Sequence, residues 1–283
     1  MIHFELSWRQ AAGAAACLAL TSAALRAAHK PRLTPASLFT QETAFVVGLF
    51  ALWQYAGSFA LMGPGGALGR ARWIWHVERV LKMPSETAVQ RVFLPHPLLV
   101  QFFNLYYDLL HFPVLIACLI WLFVWHRSSY RWWRMTLVAF TGLSLVVQLI
   151  PVAPPRMLPE TGLIDTGVIY HQSVYSNATG FNADQLSAMP SVHVGWAILV
   201  AIAIITTVRS RWRWLAVLYP VMTTLAVVVT ANHFWLDGVV AALILLMVLT
   251  VQLLVRRLLA ARAAPAEVSP ELADDEAMAA RHQ

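Results

Sequence analysis

Residues 225–248 of the chain are LAVVVTANHFWLDGVVAALILLMV. Two apolar runs flank a short polar segment that contains Asn232, His233 and Asp237. An ionisable side chain costs about 2.5 to 3.5 kcal/mol at the centre of a bilayer, so such residues usually lie at its edge, pair with one another or carry out chemistry. The segment therefore predicts a polar connection between two membrane-spanning helices, with a role beyond membrane anchoring.

The composition of the whole chain supports a membrane protein. Of its 283 residues, 59% are hydrophobic and 12% are charged, and the mean hydropathy is +0.63. These values lie outside the usage of ordinary soluble domains. Runs long enough to cross about 30 Å of hydrocarbon lie at 42–62, 98–125, 132–151, 192–208, 214–231 and 234–255. We predict an all-α integral membrane protein with a bundle of six transmembrane helices.

The two ends of the chain differ from this bundle. Residues 1–41 form an N-terminal region in which the Ala-rich run 11–28 is compatible with a signal-like segment, an extra span or an interfacial helix. Residues 42–262 make up the predicted transmembrane catalytic domain. Residues 263–283 contain acids and alanines without apolar periodicity, which predicts a disordered cytoplasmic tail.

The net charge of +6 reflects membrane orientation rather than nucleic-acid binding. Basic residues cluster at the ends of apolar runs, where short cytoplasmic loops are enriched in Lys and Arg. The clusters are Arg127, Arg131 and Arg134; Arg209, Arg211 and Arg213; and Arg256, Arg257 and Arg262. Eighteen of the twenty basic residues are arginine, which indicates a GC-rich genome and favours a bacterial plasma membrane. Six spans then place both ends of the bundle in the cytoplasm.

One basic stretch does not fit this alternation. Residues 63–97 fall on the outer side but carry several arginines. Within them Trp73, Val77, Val80 and Leu81 recur at helical spacing. We predict an amphipathic helix on the outer surface of the membrane.

The predicted topology brings three polar stretches to the outer membrane face. They are residues 151–157, 189–193 and 231–237. Their chemically competent side chains are Arg156, Ser191, His193, His233 and Asp237. We therefore predict one extracytoplasmic site that contains all five.

His233 and Asp237 are four residues apart at the start of a predicted helix, so their side chains share one face. The carboxylate can accept one imidazole N–H and leave the other nitrogen basic. No Ser or Cys is paired with this histidine, which favours His233 itself as a nucleophile attacking phosphorus. The alternative is a pair that only bonds two helices together.

The segment PSVH at 190–193 predicts a helix start. Pro190 suits the first turn, and free N–H groups at a helix N-terminus bind anions. Ser191 can add a hydroxyl donor, and a protonated His193 can act as general acid. Arg156 supplies a permanent cation for phosphate oxygens. The alternatives are a simple helix cap and an arginine that reaches the lipid head groups.

At these residues the chain resembles the type 2 phosphatidic acid phosphatase (lipid phosphate phosphatase) superfamily, and within it the branch of inositol phosphorylceramide synthases. That superfamily has the motifs K-x6-R-P, P-S-G-H and S-R-x5-H-x3-D. PSVH at 190–193 is similar to the second, and His233 with Asp237 matches the end of the third. The resemblance implies six transmembrane helices, no metal, His233 as nucleophile, Asp237 as its orienting carboxylate, His193 as acid and Arg156 as phosphate ligand.

The chain also departs from these motifs. Val192 replaces Gly, and Leu149, Ala226 and Val227 stand where Lys, Ser and Arg are expected. Two phosphate-binding cations are therefore missing, which weakens the predicted grip on phosphate. The inositol phosphorylceramide branch also tends to lack these cations, which favours head-group transfer.

Four further polar residues lie near the outer end of the run 98–125. Asn104, Asp108 and His111 fall at i, i+4 and i+7, with Tyr107 beside them. This stripe predicts either a head-group or acceptor site, or hydrogen bonds that join helices.

The sequence thus predicts a membrane enzyme that cleaves or transfers a phosphoester of a lipid-linked substrate without a cofactor. Water as acceptor makes a lipid phosphatase, whereas inositol or another alcohol makes a transferase. A zinc-dependent hydrolase with His193, His233 and Asp237 as metal ligands is one alternative. A transporter or scaffold whose polar residues line a pathway is another. The expected partners are the lipid substrate, the bilayer and an alcohol acceptor, with no nucleic acid.

Overall fold

The computed structural model describes residues 7–28, 30–57, 65–173 and 185–263. The α-helices are α1 (Trp8–Ala27), α2 (Thr34–Gly57), α3 (Ala67–Val80), α4 (Glu86–Phe93), α5 (Pro97–Leu109), α6 (His111–Trp125), α7 (Arg127–Gln148), α8 (Thr166–Ile169), α9 (Val192–Thr207), α10 (Leu218–Val229) and α11 (Trp235–Ala263). Short 3-10 helices cover Pro31–Leu33, Pro155–Met157, Pro159–Thr161 and Arg211–Val217. Within the described residues no strand forms beyond an isolated bridge between Val152 and Ser187. The predicted all-α fold is confirmed.

The chain divides into two compact units, residues 1–245 and 246–283. The described part of the second unit is the C-terminal part of α11, which ends at Ala263. The tail predicted to be disordered lies, from residue 264 onward, outside the described residues.

Three helical segments are long and apolar enough to cross a membrane: Pro31–Leu52, Arg211–Val229 and Trp235–Arg262. The pair α5 and α6 adds a fourth if it is counted as one span. The described residues therefore support a membrane protein with three to four candidate spans, fewer than the six predicted.

Two of the predicted spans fall on helices that do not qualify by length or composition. The run 192–208 corresponds to α9, whose 16 residues extend about 24 Å at 1.5 Å per residue, less than the roughly 30 Å hydrocarbon core. The run 132–151 belongs to α7, which carries Arg127, Arg131 and Arg134 in its first eight residues. These arginines reduce the apolar length of α7.

The run 98–125 is not one straight helix. It is divided into α5 and α6, which are bent by 51°. Pro113 lies in the first turn of α6. In an uninterrupted helix its ring would clash with the carbonyl group of Leu109, and its nitrogen cannot donate a hydrogen bond. The proline therefore accounts for the break at Leu110.

The N-terminal region is helical, and α1 packs antiparallel along α2. The rings of Trp8 and Tyr55 are 4.9 Å apart, and the Ser22 hydroxyl donates to the Ser37 carbonyl oxygen at 2.7 Å. The candidate span Pro31–Leu52 overlaps the predicted run 42–62, and the run 11–28, for which three roles were left open, is not among the candidate spans of the described residues.

Helix α3 has two faces, as its amphipathic pattern predicts. Ala67, Ala71 and Ile74 are buried, whereas Trp73 and Val80 are each 65% exposed. The buried face packs in one apolar cluster with residues that lie in the three polar stretches or directly beside them: Val152, Ala153, Leu158, Ala188 and Phe234. This cluster holds the stretches together.

Two tight contacts fix the neighbouring helices. A Cβ atom on Gly195 of α9 would overlap the ring of Phe140 of α7, so only glycine allows this approach. The buried Gln90 amide of α4 donates to the carbonyl oxygens of Ile164 and Val229 at 2.8 and 2.9 Å. Its oxygen accepts the Ile164 N–H at 2.9 Å. Gln90 thus joins the connection between α7 and α9, at Ile164, to the end of α10.

Candidate active site

His233 lies in the turn between α10 and α11, with one ring nitrogen held. Its Nδ1 is 2.7 Å from the backbone oxygen of Ala188 and 3.3 Å from Oδ2 of Asp237. In the neutral tautomer whose Nδ1–H donates to these oxygens, Nε2 carries the free lone pair. Nε2 is buried and has no hydrogen-bond partner among the described residues. The ring therefore offers the atom that a nucleophile or base requires.

The end of α10 explains the position of His233. Ala231 has a left-handed backbone, with φ of 54°. The N–H groups of Ala231 and Asn232 donate to the carbonyl oxygens of Val228 and Val227, both at 3.0 Å. This is the Schellman arrangement, which satisfies the last carbonyl groups of a helix. It ends α10 and brings the chain directly to His233.

Asp237 also stabilises the start of α11. Its Oδ2 accepts the N–H of Phe234 at 2.8 Å, one of the N–H groups that has no intrahelical partner. Its backbone oxygen accepts the N–H of Ser191 at 3.1 Å. The His233 and Asp237 pair therefore has a structural function as well as the geometry of a catalytic pair.

His193 lies in the first turn of α9 and its ring stacks among other rings. Ring centroids of Tyr107 and His111 lie 4.5 and 4.4 Å from that of His193, and the ring of His233 is 5.9 Å away. The two histidine rings are therefore near enough for both to contact one small group such as phosphate.

Ser191 is the N-cap of α9, and its buried Oγ accepts the N–H of Val194 at 3.4 Å. Pro190 lies one residue before this cap, outside the first turn where the sequence placed it. The N-terminus of α9 nevertheless lies at the site. The N–H of Ser191 donates to the backbone oxygen of Asp237, which joins the start of α9 to the start of α11.

Arg156 lies in the 3-10 turn Pro155–Met157, and its side chain is 4% exposed. Its N–H donates to the backbone oxygen of Ala231 at 3.1 Å. Its guanidinium group donates to the Asn232 amide oxygen and lies 3.2 Å from Oδ2 of Asp165. The cation is therefore anchored beside the residue that precedes His233.

A small polar cavity adjoins these groups. It is lined by Asn104, Tyr107, Arg156, Asp165, Gly167, Gln172, Ser173 and Asn232. Tyr107 connects the cavity to the histidines, because its ring also lies 6.4 Å from that of His233. The lining offers hydrogen-bond donors and acceptors, a guanidinium and a carboxylate.

The four residues of the predicted head-group stripe are in different environments. Asn104 is buried, donates to the backbone oxygen of Thr166 at 3.2 Å and accepts from its hydroxyl at 2.8 Å. Tyr107 and the buried His111 join the ring cluster, whereas Asp108 is half-buried and does not line the cavity. The bend at Leu110 separates His111 from the helix of the other three.

The zinc site considered as an alternative, with His193, His233 and Asp237 as ligands, is not formed among the described residues. Among the described residues no three His, Cys, Asp or Glu side chains are placed to share a metal ion. The Asp237 carboxylate instead contacts His233 Nδ1 and the Phe234 N–H.

Residues 72–251 match the family model described as the PAP2 superfamily. The chain belongs to the PAP2 superfamily. No curated protein and no solved structure matches the chain significantly. All the candidate site residues lie within the part of the chain that matches the PAP2 superfamily.

Members of the PAP2 superfamily are generally phosphatases, which supports an enzyme that acts on phosphoesters. Superfamily membership, together with the apolar helices, supports a phosphorylated lipid-type substrate at a bilayer. Val227, at one of the substituted motif positions, lies at the candidate site, since its backbone oxygen accepts the N–H groups of Asn232 and His233 at 3.0 and 3.3 Å.

Three partners in the site were not predicted from sequence. Ala188 contributes a backbone oxygen, which no residue-type pattern reveals. Asn232 and Asp165 bind Arg156 across 76 and nine positions of the chain. Asn232 could have been proposed from its place beside His233, whereas the Asp165 contact depends on how the connection between α7 and α9 folds.

Proposed function

We propose that the protein is a membrane enzyme that cleaves a phosphoester of a lipid-linked substrate, without a metal ion, through a phosphohistidine at His233. One observation carries this proposal: Nε2 of His233 is buried without a described partner while Nδ1 is held by Ala188 and Asp237. A nitrogen that is oriented, desolvated and unprotonated is suited to attack phosphorus.

The reaction takes place in two steps. In the first, Nε2 of His233 forms a bond to phosphorus, the bond from phosphorus to the leaving oxygen breaks, and His193 gives this oxygen a proton. In the second, His193 takes a proton from water or an alcohol, whose oxygen displaces His233 from phosphorus. The ring centroids of the two histidines are 5.9 Å apart. At this separation His233 can attack phosphorus while His193 acts on the leaving oxygen.

Positive charge and N–H groups stabilise the transition state. Arg156 is fixed beside Asn232, and the first turn of α9 at Ser191 presents the N–H groups of a helix N-terminus. Such preorganised donors favour the charge that develops on phosphate oxygens. Asp165 offsets part of the Arg156 charge, so a bound phosphate competes with this carboxylate.

The proposal retains residues 42–262 as one catalytic domain of six spans, with the site on the extracytoplasmic side. The arginines of α7, of the 3-10 helix Arg211–Val217 and of the end of α11 support this orientation. The short helix α9 can complete a span only together with the residues that flank it, since it is about 24 Å long.

Transfer to an alcohol such as inositol is the second candidate function. The polar cavity beside Tyr107 favours it, because Asn104, Gln172 and Asp165 can bind hydroxyl groups next to the reaction centre. Water as acceptor would not need these groups. The missing motif cations at Leu149 and Val227 also agree with the inositol phosphorylceramide branch.

The test is phosphate release by purified protein in detergent micelles from phospholipids with a labelled phosphate, with and without inositol. We expect His233→Ala to lower turnover about a thousandfold or more, and His193→Ala to lower it about 100- to 10,000-fold. His76→Ala changes an exposed histidine of α3 and is the matched control. Activity should persist with a chelator and fall with vanadate.

The labelled product separates the two functions. Free phosphate identifies a phosphatase, and a new labelled lipid that requires inositol identifies a transferase. Labelled phosphate that stays bound to the wild-type protein in alkali and is released in acid would support a phosphohistidine. If both histidine variants matched the wild type, the proposed chemistry would be wrong.

A further inference from the structure

Glu78 lies on the buried face of α3, outside the catalytic groups assigned above. It follows Ala67, Ala71 and Ile74 at helical spacing, and its side chain is 0% exposed. A carboxyl group therefore occupies a position that apolar residues fill in the rest of this face. Such a position requires hydrogen bonds to compensate for the lost water.

One oxygen of Glu78 binds the start of α11. Oε1 accepts the N–H of Leu236 at 2.8 Å. Leu236 lies between His233 and Asp237, in the first helical turn, where N–H groups have no intrahelical partner. Asp237 binds the neighbouring N–H of Phe234. Two carboxyl groups, one from α3 and one from α11, thus stabilise the turn that carries the catalytic pair.

The other oxygen of Glu78 faces a second buried acid. Among the described residues, neither Oε2 of Glu78 nor Oε1 of Glu86 has a hydrogen-bond partner, and both atoms are buried. Oε2 of Glu86 accepts from Arg79 at 2.9 Å, and Arg79 lies 3.8 Å from Oε2 of Glu78. A hydrogen bond with the Glu86 side chain is one of the causes that raise the pKa of Glu78. One proton on Glu78, donated to Glu86, would satisfy both oxygens.

The surroundings of Glu78 favour its protonated, neutral form. Burial is the main cause that raises the pKa of Glu78 to about 9, and Glu86 and Asp237 add to it. The hydrogen bond from Leu236 acts in the opposite direction. Arg79 is the one described cation that contacts the pair, and it lies closer to Glu86.

We propose that Glu78 is a positioning residue for the His233 and Asp237 pair, working as a neutral carboxylic acid that fixes the first turn of α11. A displacement of about 1 Å in a catalytic group can cost 100-fold in rate, so the fixed turn matters for turnover. When Glu78 loses this proton, its negative charge adds to those of Glu86 and Asp237. Repulsion between these like charges displaces the turn. The effect on turnover rests on the proposed function.

The test compares Glu78→Gln with Glu78→Leu. Glutamine keeps an acceptor for Leu236, can donate to Glu86 and cannot ionise, so its turnover at neutral pH should stay close to that of the wild type. Leucine removes the acceptor and should lower kcat about ten- to a hundredfold with little change in KM. Glu160→Gln, at a glutamate that pairs with Arg72 on the surface, is the matched control.

The pH profile gives the signature that a purely structural role would not. The wild type and Glu160→Gln should lose activity as pH rises through about 9, whereas Glu78→Gln should not. Because the folded pKa of Glu78 lies above its usual 4.5, the stability it contributes is full below pH 4.5 and is lost as pH rises to about 9. The melting temperature of Glu78→Gln should fall less over this interval.

Two readouts are independent of activity. The infrared band of a protonated carboxylic acid should be present in the wild type at neutral pH and absent in Glu78→Gln. The nitrogen resonances of His233 should match the wild type in Glu78→Gln and shift in Glu78→Leu. If no protein turns over substrate, these two readouts still decide the role of Glu78 while the proposed function fails.

The opposite results would overturn the proposal. They are an unchanged infrared band in Glu78→Gln, an alkaline loss of activity identical to that of the wild type, or a Glu78→Gln variant as impaired as Glu78→Leu. If Glu78→Leu fails to fold, the comparison of Glu78→Gln with the wild type remains decisive.

Discussion

The shortest contact of His233 is to a backbone oxygen. Ala188 accepts from Nδ1 at 2.7 Å, whereas Asp237 is 3.3 Å away. A carbonyl group cannot be protonated at ordinary pH and is not removed by substitution of a side chain. The orientation of this imidazole is therefore less dependent on its carboxylate than in a triad held by the carboxylate alone.

We accordingly expect Asp237→Asn to lower kcat only about ten- to a hundredfold, compared with the roughly 10,000-fold loss seen where the carboxylate alone fixes the tautomer. The asparagine oxygen can still accept the Phe234 N–H. Initial rates of phosphate release measure the effect. A loss as large as that of His233→Ala would show that Asp237 is essential to the tautomer.

The role of His193 predicts dependence on the leaving group. With an alkyl phosphate, whose leaving oxygen needs a proton, His193→Gln should lower turnover about 100- to 10,000-fold. With nitrophenyl phosphate, whose leaving group is stable as an anion, the loss should be much smaller. Equal losses on both substrates would assign His193 to binding rather than to proton transfer.

Side chains that carry chemistry could be proposed from the sequence, but their immediate partners could not. The spacing of His233 and Asp237 predicted the pair, which the structure places 3.3 Å apart. Ala188 and Glu78 gave no such signal, because one acts through its backbone and the other lies 158 positions from Leu236. Glu78 could have been noticed, since it continues the buried spacing of Ala67, Ala71 and Ile74.

At the level of elements, α7 and α9 approach each other at a glycine. Gly195 faces the ring of the fully buried Phe140, which leaves no room for a side chain. Because α9 carries His193 in its first turn, this packing also determines where the proposed acid lies.

We expect Gly195→Ala to destabilise the protein by about 1 to 3 kcal/mol, the range for overpacked cores. Gly142→Ala on α7 is the control, because nothing lies within 4 Å of its added Cβ atom. Thermal unfolding in detergent micelles measures both variants. Phe140→Ala should partly rescue Gly195→Ala, and a Gly195→Ala protein as stable as Gly142→Ala would contradict the close packing.

Helix existence followed from apolar periodicity, whereas breaks and lengths did not. The amphipathic pattern predicted α3, and the exposed Trp73 and Val80 agree with it. The break between α5 and α6 was missed because hydropathy is averaged over a run that includes Pro113. In a continuous helix this proline would lack the N–H donor and clash with the carbonyl group of Leu109. A proline in an apolar run is the signal that would have indicated it.

At the level of the whole molecule, orientation in the membrane can be tested with thiol labelling. In a chain with Cys17→Ser and Cys118→Ala, we introduce Ile169→Cys beside the site or Trp214→Cys in the 3-10 helix, at side chains 54% and 58% exposed. An impermeant maleimide added to intact cells should label residue 169 and not residue 214. Labelling of 214 alone would invert the proposed orientation.

The number of spans was the least predictable property of the whole molecule. Hydropathy measures the apolar character of a segment, but a helix buried among others can be shorter than the bilayer is thick. The 16-residue α9 is of this kind, with Val194, Trp196 and Ala197 buried by neighbouring elements. Its composition alone could not distinguish a full span from a shorter internal helix.

The three segments of the site are joined by main-chain bonds, from Ala188 to Val152, from Arg156 to Ala231 and from Ser191 to Asp237, all at 3.1 Å. These main-chain hydrogen bonds do not depend on side-chain identity, so side-chain substitutions that preserve the backbone leave them in place. A chimaera with another member of the superfamily could therefore exchange the residues that line the cavity and acquire a new acceptor preference, while the three joined segments of the reaction centre are kept together.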